Sequence, residues 1–75
     1  MKIAILGAGE SGVGAAILAK EIGAEVFVSD FGKIGEKYQG ELEQYEIEFE
    51  EEQHTEERIL SADLVIKSPG IPDKA

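Results

Sequence analysis

Four of the chain's nine glycines fall within eight residues, at Gly7, Gly9, Gly12 and Gly14. Gly7-Ala8-Gly9-Glu10-Ser11-Gly12 reads as G-x-G-x-x-G, a spacing with a chemical use when a strand precedes it and a helix follows. Gly7 then allows the tight turn, Gly9 lets a diphosphate approach the backbone, and Gly12 lets strand and helix pack closely. The amides of Glu10, Ser11, Gly12 and Val13 are expected to face the anion at the positive end of the helix dipole. The Ser11 hydroxyl adds a donor, and Gly14 is assigned to helix–sheet packing. The Glu10 carboxylate would repel a phosphate, so its side chain is expected to turn to solvent. The plainer reading is that these glycines only make a tight strand–helix connection.

Asp30 stands eighteen residues after Gly12, the usual place for an acid that accepts hydrogen bonds from a ribose or a base. Its plainer role is to cap a loop. Phe31 follows and either stacks on a base or covers the end of the sheet; Lys33 either reaches a phosphate or stays a free surface lysine. Near the end of the chain, Ser68-Pro69-Gly70-Ile71-Pro72 is a stiff turn in which the two prolines would preorganise the groups of Ser68 and Gly70. Its plainer role is a rigid exit into a following segment. The single histidine, His54, is read as a surface or capping residue. No nucleophile–base pair is legible, and the G-x-x-x-x-G-K-[ST] phosphate loop is absent from the sequence.

These residues need elements to position them. Ile3-Ala4-Ile5-Leu6 is a continuous apolar run closed by Gly7, the pattern of a strand buried on both faces. From Ser11 to Ile22 the spacing of Val13, Ala16, Ile17 and Lys20 is helical, and Gly23 ends that helix. Val26-Phe27-Val28 is a second apolar run ending at Ser29-Asp30. Ile34, Tyr38, Leu42 and Tyr45 mark a second helix, weakened by Gly40 at about 1 kcal/mol relative to alanine. Tyr45, Ile47 and Phe49 alternate with Glu46, Glu48 and Glu50 as in an edge strand with one wet side. Thr55 is placed to cap a short third helix through Ile59 and Leu60, and Leu64-Val65-Ile66 reads as a final buried strand.

The order β-α-β-α-β-α-β requires a parallel sheet with right-handed crossovers. The expected architecture is a single α/β domain over residues 1–75, Rossmann-like, with strand order 3-2-1-4 and helices on both faces. Ligands of such sheets sit beyond the carboxyl ends of the strands where the order reverses, so Gly9 and Gly70 are expected to face one cleft.

Composition narrows the partners. Sixteen acidic residues against seven basic ones give a net charge of −9, which opposes a nucleic-acid backbone or an anionic membrane surface. Nine of the acids lie between Glu41 and Glu57, where no Lys or Arg occurs; a solvated outer face is the reading preferred over a metal-binding patch, since EF-hand spacing is missing. There are no cysteines, which removes disulfides, thiol catalysis and Cys-ligated metals. The first apolar stretch is too short for a secretory signal, so the expected location is the cytoplasm.

Taken together, Ile3-Ala4-Ile5-Leu6-Gly7-Ala8-Gly9-Glu10-Ser11-Gly12, Asp30 and Ser68-Pro69-Gly70-Ile71-Pro72 resemble the N-terminal domain of the Mur ligases of bacterial peptidoglycan synthesis. Within that family the match is to the branch that adds D-glutamate to UDP-N-acetylmuramoyl-L-alanine; the branch adding L-alanine differs in the last turn. The resemblance covers essentially all 75 residues. It implies a three-domain enzyme of which this is the first part, holding the UDP portion of the substrate. ATP and magnesium would bind in a central domain and not in this fragment, and a C-terminal domain would help bind D-glutamate. The reaction implied passes through an acyl phosphate, with no catalytic residue in this fragment. Residue by residue, Glu10 and Ser11 would meet the diphosphate, Asp30 with Phe31 and Gly32 would hold the uracil end, and Gly70 would offer its amide across the cleft. Relatives often carry a small polar and then a basic residue after the acid; Phe31-Gly32-Lys33 departs from this, with Lys33 as the stand-in.

Two other classes fit some of the same residues. An NAD-binding half-domain of a dehydrogenase or potassium-channel regulatory subunit would use the glycine motif and Asp30, but gives no reason for the proline turn. A non-enzymatic assembly module would use the segment Glu41–Glu57 as its contact surface.

Overall fold

The structure, a computed structural model, describes residues 1–67. The proline turn at Ser68–Pro72, and with it the expected pairing of Gly70 with Gly9, lies outside the described residues. Seven elements follow in order: β1 (Lys2–Leu6), α1 (Glu10–Glu21), β2 (Glu25–Asp30), α2 (Glu36–Gln44), β3 (Glu48–Glu51), α3 (Glu56–Leu60) and β4 (Leu64–Lys67). The four strands form one parallel sheet in the order β3-β2-β1-β4. This is the Rossmann-like α/β architecture and strand order that the sequence leads one to expect.

The apolar runs explain the order. Ile3, Ala4 and Ile5 are each at most 6% exposed, and only an inner strand can bury consecutive side chains on both faces. β1 therefore pairs on both sides, Ile5 lying beside Val28 of β2 and Ile66 of β4. On one face Ile3, Ile5, Val26 and Val28 join Val13, Ala16 and Ala19 of α1 and Leu42 of α2 in a single core. The opposite face carries α3, whose Arg58 guanidinium lies 3.8 Å from the centre of the Phe27 ring and pairs with Glu48.

Helix ends follow from local hydrogen bonds. After α1, Gly23 takes φ 95°; its N–H donates to the Lys20 carbonyl and that of Ala24 to the Ala19 carbonyl, a Schellman turn that needs a left-handed residue at this point. The same turn ends α2 without glycine. Glu46 adopts φ 58°, its N–H donating to Glu43 and that of Ile47 to Leu42. Leu42 and Ile47 are both buried, the apolar contact that accompanies this motif. Tyr45 and Ile47, which alternate as if in the third strand, therefore belong to a helix cap, and β3 starts at Glu48.

Two further expectations change. Among the described residues β4 pairs with β1 alone, and Leu64 and Val65 are 46% and 43% exposed, where the sequence pattern predicts burial. Gly14 is exposed, and a Cβ placed there meets nothing within 4 Å, so it does not press against the sheet.

Candidate functional site

The turn after β1 begins with Gly7, at φ 104°, a conformation that L side chains disfavour. Its N–H extends the ladder to the Ser29 carbonyl at 2.8 Å. The chain then reverses into α1, whose N-cap is Gly9 and has no side-chain cap. The Val13 N–H donates to the Gly9 carbonyl, so it belongs to the helix and is not available to an anion as the sequence reading had it. The N–H groups of Glu10, Ser11 and Gly12 have no acceptor among the described residues. The start of a helix leaves such donors by construction, and aligned peptide dipoles favour negative charge there. A Cβ built on Gly9 meets nothing within 4 Å, so the approach to these amides is open. The Glu10 side chain is exposed, as the sequence leads one to expect. Ser11 is exposed as well, while Gly12 is buried, as close packing of strand and helix demands.

Asp30, at the end of β2, faces this turn. Its Oδ2 accepts from the Ala8 N–H at 2.8 Å and its Oδ1 from the Gly32 N–H at 2.9 Å. The carboxylate thus ties the β1 and β2 turns together, which is the loop-bracing role. A carboxylate has about four acceptor positions, so room for further donors remains. Phe31 is 75% exposed; Gly32 and Lys33 are also exposed.

Behind Asp30 lies a polar cluster that sequence spacing does not reveal. Ser29 is fully buried, and its Oγ meets Glu50 Oε2 at 2.9 Å, the Gln53 carbonyl at 3.1 Å and His54 Nδ1. Glu50 accepts two more bonds, from the Thr55 N–H and from Thr55 Oγ1, both at 2.6 Å. Burial of Glu50 acts to raise its pKa, but the Thr55 and Ser29 hydrogen bonds and the neighbouring His54 outweigh it and leave the carboxyl below its usual value of 4.5. Thr55 stands at the N-cap of α3, yet its hydroxyl serves Glu50 and not the helix. Glu51 accepts from the Ile34 N–H at 2.8 Å and from Gln39 Nε2 at 3.2 Å. The acidic run is thus not simply a solvated face: Glu48, Glu50 and Glu51 each hold a structural partner.

An open parallel sheet in this order, with a glycine turn opening a helix where the strand order reverses and an acid at the end of the next strand, defines an α/β domain of the Rossmann-like class. Comparison with known proteins narrows the class. Residues 2–75 match the family model described as MurD N-terminal domain. A UDP-N-acetylmuramoylalanine–D-glutamate ligase of Christiangramia forsetii is 64% identical over 74 residues, covering 99% of this chain and 17% of the relative. Proteins of the same name from Porphyromonas gingivalis and Bacteroides thetaiotaomicron are 63% and 61% identical, over 97% and 99% of this chain and 16% and 17% of theirs. The chain belongs to the MurD N-terminal domain family, and it spans about a sixth of the length of these relatives, which are 16% to 17% covered. Among the described residues, no helix is long and apolar enough to cross a membrane.

Proposed function

We propose that the chain is the part of a D-glutamate-adding ligase that holds UDP-N-acetylmuramoyl-L-alanine by its UDP end, in the cytoplasm. The observation that carries this reading is the row of amides at Glu10, Ser11 and Gly12 that have no acceptor among the described residues, set at the reversal of strand order beside a carboxylate that braces the turn. There the diphosphate would accept from these amides, with Gly7 shaping the turn and Gly9 leaving its approach clear. Asp30, Phe31, Gly32 and Lys33 line the end of β2, where the nucleoside would lie. Ser68 and Gly70 would close the far side. The names of the relatives support the same substrate.

ATP and magnesium serve the ligase reaction, but the residues of this chain do not fit them. The sequence has no lysine-bearing phosphate loop, and no group of three or more metal-ligating side chains occurs among the described residues. Activation of the substrate carboxylate as an acyl phosphate, and its attack by D-glutamate, are therefore assigned to the remainder of the protein. This chain binds and orients the substrate.

Calorimetric titration with UDP-N-acetylmuramoyl-L-alanine and with NAD tests the reading. Binding of the UDP ligand with no response to NAD is expected; the reverse result would make the domain a dehydrogenase half-domain instead.

A further inference from the structure

Phe31 exposes three quarters of its surface, yet its position is closely fixed. The Glu52 N–H donates to the Gly32 carbonyl at 2.9 Å and the Gln53 N–H to the Asp30 carbonyl at 3.4 Å, so the loop after β3 grips the backbone on both sides of Phe31. Glu52 takes φ 61° to do so, a left-handed conformation that is costly for a residue other than glycine. The ring of Phe31 rests against that of His54, with centroids 5.2 Å apart and planes tilted by 30°.

His54 is anchored in turn by Ser29. A hydroxyl carries one proton and two lone pairs. Around the fully buried Ser29 Oγ stand two groups that only accept, the Glu50 carboxylate and the Gln53 carbonyl, and one that accepts or donates, His54 Nδ1. Were Nδ1 bare, three acceptors would compete for the single proton of the buried Ser29 hydroxyl. The arrangement with the fewest competing acceptors has Nδ1 carrying a hydrogen and donating to Ser29, Ser29 donating to Glu50, and Thr55 closing the series with its own two bonds to Glu50. The imidazole, exposed itself, is held by its bond to a buried hydroxyl.

We propose that His54 is a positioning residue for nucleotide binding: its Nδ1–H bond to Ser29 fixes its ring, and that ring sets the Phe31 ring at the end of β2 as the platform on which the base of the UDP ligand stacks. The inference rests on the UDP-binding reading above. It adds a residue from the β3–α3 loop to a site otherwise argued from the turns after β1 and β2.

Three variants and two probes test it. His54→Asn keeps an N–H donor near the place of Nδ1 but removes the ring; Phe31→Leu removes the platform; the third variant combines both. Loss of one base–aromatic stack predicts UDP binding weaker by roughly five- to a hundred-fold in His54→Asn, with binding of inorganic pyrophosphate unchanged because that probe has no base. In the double variant His54→Asn is expected to add nothing to Phe31→Leu. Nitrogen NMR of the unliganded chain is expected to show the proton on His54 Nδ1. A bare Nδ1, unaltered UDP affinity in His54→Asn, or equal loss of UDP and pyrophosphate affinity would each overturn the role of His54 while the native chain still binds UDP. Failure of the native chain to bind either probe would instead bring down the UDP reading itself, and the base platform with it.

Discussion

The carboxyl edge of the sheet is built in two contrasting ways. At the β1–α1 turn, backbone donors are left bare: Glu10, Ser11 and Gly12 have no acceptor among the described residues, and Gly9 has no capping side chain. One strand away, around the turns after β2 and β3, polar groups are tied into each other. Asp30 holds two amides, Ser29 and Thr55 converge on Glu50, and Ile34 and Gln39 converge on Glu51. A glycine N-cap is not itself the difference, since α2 also starts at a glycine, Gly35. The difference is location and support. The bare amides lie where strand order reverses, and the knotted region holds their turn in place through the bond from the Ala8 N–H to Asp30. Among the described residues, the protein satisfies its own polar groups around the turns after β2 and β3, and leaves donors open at the turn proposed to meet an anion.

Substitutions that separate the two regions break or sharpen this contrast. The largest effect is expected from Gly9→Val. A Cβ at this position meets no protein atom, so unfolding in urea should show a loss no larger than about 1 kcal/mol, from the poorer N-cap residue. Affinity for the UDP ligand should fall at least about a hundred-fold, near 2.8 kcal/mol, because the side chain fills the phosphate approach. Asp30→Ala should act in the opposite sense, on the fold first. It strips the acceptor from the Ala8 and Gly32 amides, at a cost of about 2 kcal/mol in urea unfolding, and weakens UDP binding by about 1–3 kcal/mol through the slackened turn and the lost acceptor. A stability change near zero would show that the two turns are not coupled.

Glu50→Gln comes next, at about 1–2 kcal/mol, with no direct effect on the phosphate amides. Its pH dependence has a definite sign. The Glu50 carboxyl lies below 4.5 in the folded chain, so the stability it contributes is present above pH 4.5 and is lost as pH falls through its lowered pKa. The difference between native and Glu50→Gln chains, followed by thermal unfolding, should therefore shrink below pH 4.5. The smallest effect is a control. Gly40 lies inside α2 with nothing within 4 Å of an added Cβ, so Gly40→Ala should stabilise the fold by about 1 kcal/mol and leave UDP affinity unchanged. A parallel rise in affinity would mean that the binding turn responds to global stability and not to its own geometry.

The elements differ in how far the sequence reveals them. Strand order was legible because Ile3-Ala4-Ile5 needs two covered faces and the glutamate-rich third strand tolerates an edge. The end of α2 was not. A Schellman turn is normally marked by glycine, and here Glu46 occupies the left-handed position, so the pair Tyr45 and Ile47 passes for strand alternation. The glycine turn was legible because its residues are contiguous. The polar knot was not, because Ser29 meets partners 21 to 25 residues away, a separation that no helical or strand period encodes. His54 is exposed, as the sequence suggests, but for the same reason nothing in the sequence shows that its ring nitrogen reaches a buried hydroxyl. The exposure of Leu64 and Val65 among the described residues was hidden too, since an apolar run by itself predicts burial.

Amide-resolved NMR during titration with UDP tests the central claim most directly. The bare donors should respond first: the Glu10, Ser11 and Gly12 resonances are expected to move together and saturate with the ligand, while the Gly32 amide, already bonded to Asp30, moves far less. If those three resonances stay still while the ligand binds and shifts others, the phosphates do not rest on the start of α1 and the account is wrong.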